Sequence, residues 1–91
     1  MNADLSLYTS EARAQIEINL AKTAKPFYIE PSAECSWDQI VDFEKKKCAE
    51  LYAQYSAFTD KRTSAAKHIK TVWTMRCVRL HFYRIYAAES C

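Results

Sequence analysis

Lys61 to Ala88 reads KRTSAAKHIKTVWTMRCVRLHFYRIYAA, and whether this stretch is one helix or contains a strand decides the fold. On a helical wheel its first half places Ala65, Ala66, Ile69, Val72 and Trp73 on one side. Its second half adds Met75, Val78, Phe82, Ile85 and Tyr86 on another. A helix that is apolar on two sides needs two partners to cover it. The competing reading is a strand within 72–86, because Val78-Arg79-Leu80-His81-Phe82 alternates with period two and is rich in strand formers.

The rest of the chain tips the balance toward helix. Its 91 residues contain no glycine. Two-residue hairpin turns lean on glycine, and no Asn-Gly or Asp-Gly pair occurs. Upstream, Thr9 or Ser10 can cap a helix reaching to about Ala24, with Ala12, Ile16, Leu20 and Ala24 as its apolar stripe, Glu11 in its first turn, and Lys22 and Lys25 near its end. Pro26 stops it. Pro26 and Pro31 favour an extended connector through Cys35, with Phe27, Tyr28 and Ile29 laid on the core.

Ser36-Trp37-Asp38-Gln39 is a capping box: the serine hydroxyl accepts from the third helical N–H while Gln39 reaches back to the cap. The helix it opens repeats apolar residues from Trp37, Ile40 and Val41 through Cys48, Leu51 and Tyr55 to Phe58, with Asp42 and Lys46 as an outward pair. Thr59 and Asp60 break that pattern, and Asp60 is placed to cap the third helix. The expected fold is therefore all-α: one small three-helix domain over 1–91 with a long basic and aromatic C-terminal helix.

Composition narrows the function. An apolar fraction of 49% and a charged fraction of 26% suit an ordinary globular chain. A domain of this size buries only roughly 60 to 65% of its unfolded surface, one modest core with little to spare for a strained catalytic site. Without glycine there is no phosphate-binding loop, dinucleotide fingerprint or nucleophile elbow. The first twenty residues carry charges and no apolar run, so no signal peptide is expected. The apolar stretch 72–88 holds Arg76, Arg79, His81 and Arg84, so no membrane span is expected either. Cys35, Cys48, Cys77 and Cys91 lack tight spacings and read as reduced thiols in a cytoplasmic protein.

Charge is unevenly spread. Residues 1–60 carry six Lys or Arg against ten Asp or Glu, a balance of −4. Residues 61–88 carry seven Lys or Arg and no acid, a balance of +7. At 100° per residue, Lys61, Arg76 and Arg79 lie near Tyr83, whereas Lys67, Lys70, His81 and Arg84 lie on a different side. These two stripes can neutralise phosphates, with Tyr83, Tyr86 or Trp73 stacking on bases. They can equally pair with the acidic first and second helices while their stems cover apolar surface.

Cys77 and His81 are four apart and share a helical face, but no Cys-x-x-Cys or His-Glu-x-x-His spacing supports a metal, and no further part supports a nucleophile. We expect no catalytic residue, no metal ligand and no cofactor. The aromatic residues exceed what a minimal three-helix core buries completely, and tyrosine, tryptophan and arginine dominate interface hot spots. The expected activity is non-enzymatic protein binding through Lys67, Lys70, Arg76, Arg79, Tyr83, Arg84 and Tyr86. The partner is a larger host protein or a complex of the protein's own, bound as an inhibitor or adaptor of phage or mobile-element type does, anti-defence proteins among them. Nucleic-acid binding through the basic helix 61–84 is the alternative reading, a membrane is not expected as partner, and a homodimer is compatible with the second apolar face.

Overall fold

The computed structural model describes residues 8–22 and 25–90. They form three helices, α1 (Ser10–Leu20), α2 (Trp37–Ala57) and α3 (Ser64–Glu89), with no strand among the described residues. At ~1.5 Å per residue, the 26 residues of α3 span about 39 Å, close to the 43 Å long axis. Both α1 and α2 pack on α3, the larger share falling to α2. The strand alternative for 72–86 is thereby overturned. Val78, Leu80 and Phe82 are all buried, as the period-two pattern requires, but they are buried around a helix covered from more than one side.

Each helix starts on a side-chain cap. The Thr9 hydroxyl accepts from the Ala12 N–H at 3.0 Å, and Ser36 and Gln39 form the capping box in both directions. For α3 the expected cap Asp60 is displaced three residues, to Thr63, whose hydroxyl accepts from the Ala66 N–H at 3.2 Å. The Asp60 carboxylate is engaged locally instead, taking the Arg62 N–H at 2.9 Å in an Asx-type turn. On the outer side of α2 the ion pair runs from Lys47 to Glu50 at 3.5 Å, not from Asp42 to Lys46.

The stripe of α1 also differs from expectation. Ala12 and Ile16 are buried, but the third buried position is Asn19, and Leu20 is 56% exposed. The Asn19 side-chain oxygen accepts from Gln15, so the polar group keeps a partner. The helix stops at Leu20, and Ala24 lies outside the described residues. Lys25 falls beyond the helix and pairs with Glu89 at 3.6 Å.

The core runs along α3. Toward α2, Trp37 meets Tyr83 and Tyr86 at ring centroid distances of 6.1 and 5.8 Å, and Tyr52 and Tyr55 flank Trp73. Toward α1, Tyr8 stands edge-on to His81. The connector crosses the C-terminal half of α3, held by the Tyr86 hydroxyl donating to the Pro26 carbonyl at 2.6 Å and by Tyr28 against Trp37 and Tyr86. No helix among the described residues is long and apolar enough to cross a membrane.

Candidate functional site

The cations of α3 divide between its two partners. On the α1 side, Lys70 pairs with Glu11 at 3.3 Å, and Arg84 donates to the Tyr8 hydroxyl at 3.1 Å. Lys67 is exposed on the N-terminal half of α3. On the α2 side, Arg76 donates through Nη1 to both carboxylate oxygens of Glu44, at 2.9 and 3.3 Å. Arg79 joins no ion pair among the described residues; its guanidinium lies over the Phe27 ring at 5.6 Å, and its Nε is buried without a hydrogen-bond partner. The acidic body thus takes up Lys70 and Arg76 and leaves Arg79 against a ring.

The two tyrosines of the expected docking set are core residues. Tyr83 and Tyr86 are both buried, and burial pushes both phenols above their ordinary value. They support the surface from below, so the rings available to a partner are others. Phe27 is 39% exposed, Ile29 44%, Phe43 52% and Met75 53%. Of the three connector residues that the sequence lays on the core, Phe27, Tyr28 and Ile29, all stay half-exposed, Phe27 reaching Phe82 at 6.4 Å and Tyr28 packing on Trp37 and Tyr86. Phe43 stands outside the apolar repeat of α2, which is why periodicity does not single it out. Its signal in the sequence is an isolated aromatic on an otherwise charged face.

These groups are neighbours. Arg76 sits 6.0 Å from the Phe43 ring centre, while Phe27 and Met75 border one groove of about 380 Å³ between α1, the connector and α3. Ile29 and Phe43 border a second groove of about 490 Å³ between the connector and α2, with Tyr83 and Ile40 at its base. The connector lines both grooves, with Pro26 and Phe27 on the first and Ile29 on the second, so it forms the ridge between them. Phe27 also has φ of 59°, a left-handed conformation that costs a residue with a side chain roughly 1 to 2 kcal/mol. The backbone strain is thus spent at a position that presents a ring to solvent.

The cysteine and histidine positions are arranged differently. The ring of His81 is edge-on to Tyr8 and Phe82 beside Arg84, and no group of three potential metal ligands occurs among the described residues. Cys77 is fully buried and faces Cys48 of α2. In comparisons with known proteins, no family model matches the chain, and neither a curated protein nor a solved structure does.

Proposed function

We propose that the protein is a binding module that docks on a larger protein, in the manner of an inhibitor or adaptor, through the ridge and grooves around Arg76 and Arg79. The observation that carries this reading is the juxtaposition of four half-exposed apolar side chains, Phe27, Ile29, Phe43 and Met75, with two arginines stacked on the phenylalanine rings. Rings, methionine and arginine are the residue types enriched at interface cores. The Arg79 guanidinium, over the Phe27 ring and in no ion pair among the described residues, holds its charge at a semi-apolar site, where a partner carboxylate gains more than it would in open water.

The competing use of α3 is nucleic-acid binding. Pairing of Lys70 with Glu11 and of Arg76 with Glu44 removes two of its cations from phosphate contact, which favours the protein-binding reading. Affinity capture from the cells that make the protein, using the native chain and an F27S/F43S/M75S variant side by side, tests the proposal. The expected result is a protein partner retained at about 0.2 M salt and lost with the variant. Nucleic acid captured equally by both chains, with affinity falling about a thousandfold from 50 to 200 mM salt, would overturn it.

A further inference from the structure

We propose that Cys48 and Cys77 form a site of reversible oxidation, closing to a disulfide that ties α2 to α3. Both side chains are buried, at 3% and 0% exposure, on facing helices of one core cluster. Neither belongs to the docking surface. Cys48 lies one turn before Tyr52 on α2 and Cys77 one turn after Trp73 on α3; those two rings meet at 5.4 Å, and Trp37 meets Tyr86 farther along the same two helices, so the antiparallel register sets the cysteines opposite one another. Their proximity, with burial, pushes the Cys48 thiol up, and the same proximity holds Cys77 down against the opposing effect of burial. Either sulfur can be the one that attacks the oxidant, the other then resolving the product as the disulfide.

Cys48 lies one turn beyond Glu44 on α2, and Cys77 directly follows Arg76 on α3, so the cross-link would form beside an ion pair that already fixes the two helices. The third described cysteine, Cys35, is exposed in the connector. Hydrogen peroxide, small and uncharged, is the oxidant class suited to a buried pair. Each thiol gives up one proton and one electron, the sulfur–sulfur bond forms, the peroxide oxygen–oxygen bond breaks, and two waters leave.

The test is to treat the folded C35S/C91S variant with peroxide, remove the excess with catalase, and measure intact mass before and after a thiol reductant. The expected product is a monomer lighter by two hydrogen atoms, restored by reductant, with a linked Cys48–Cys77 peptide, unchanged helical circular dichroism and a higher melting temperature. Peptide mapping of the unsubstituted chain should yield the same linked pair. Two thiols still free after treatment, or products carrying only added oxygen, would overturn the proposal. So would a cross-link that forms only in the urea-unfolded chain, or one whose formation abolishes the helical signal.

Discussion

Arg76 Nη1 is shared between the two carboxylate oxygens of Glu44, at 2.9 and 3.3 Å, across the seam where α2 meets α3. The acid is the deeper partner: its side chain is 6% exposed against 29% for the arginine. Removing one member of such a pair leaves the other charge buried and unpaired. Arg76→Ala should therefore destabilise the fold by about 2 to 4 kcal/mol, somewhat less than the loss of about 3 to 5 kcal/mol for a fully buried pair because the arginine keeps some contact with water. Replacing both together, as E44L/R76M, should cost far less than the sum of the single changes. Urea denaturation of the two single variants and the double variant measures the coupling; additive losses would show that the pair is not joined as described.

His81 gives the fold a pH dependence of defined sign. Its ring is partly buried, and burial first, then the charge of Arg84, hold its pKa below the ordinary 6.5. The unfolded chain therefore binds a proton that the native chain resists binding. The stability this contributes is fully present above the unfolded value and is lost as pH falls through it toward the lower folded value. Glu11 and Asp60, whose carboxyls are held below their ordinary values of 4.5 and 3.8, lose their contributions only at more acid pH. Urea midpoints at about pH 7 and about pH 5 should show the native chain weaker at the lower pH. His81→Phe, which preserves an aromatic ring beside Tyr8 and Phe82, should reduce that difference.

Phe27 separates backbone strain from side-chain contact. Glycine adopts a φ of 59° at little cost, whereas alanine retains most of the penalty that phenylalanine bears. Both substitutions lose the ring against Phe82 and Arg79. Phe27→Gly should accordingly be more stable than Phe27→Ala by about 1 kcal/mol, even though glycine is the more flexible residue in the unfolded chain. Equal melting temperatures for the two would contradict the left-handed backbone at this position.

Much of this architecture is written in short-range signals. The capping box at Ser36 and Gln39 marks the first residue of α2, and the two-sided apolar pattern of 61–88 makes α3 a helix with two partners. What escapes is settled by competition between distant groups. Asp60 is as good a cap as Thr63 until its carboxylate engages the Arg62 N–H. Leu20 and Asn19 exchange roles because the rotation of α1 is set by where Thr9 meets Thr74, at 2.8 Å, on another helix. Two-thirds of the way along α3 the same limit applies to the candidate site. The arginines are visible in sequence, but Tyr83 and Tyr86 go inward once Trp37 packs on them, and the exposed apolar set of Phe27, Ile29, Phe43 and Met75 emerges only when the connector is laid across α3.

Trp37 links that connector to the bundle, and two substitutions at this position distinguish packing from hydrogen bonding. The ring touches Tyr28 of the connector and Tyr83 and Tyr86 of α3, yet its indole N–H is buried with no partner among the described residues. Deleting the ring as Trp37→Ala should cost about 3 to 5 kcal/mol, a large share of the roughly 5 to 14 kcal/mol expected of a domain of this size. Trp37→Phe removes a donor that the native fold leaves unsatisfied, and so recovers part of the cost of the lost volume. It should cost about 1 to 2 kcal/mol while keeping an aromatic wall for Tyr28. Because Phe27 and Ile29 reach the surface on the segment that Trp37 holds, the phenylalanine variant should also retain partner capture. A Trp37→Phe loss as large as that of alanine would mean that the indole N–H has a partner after all.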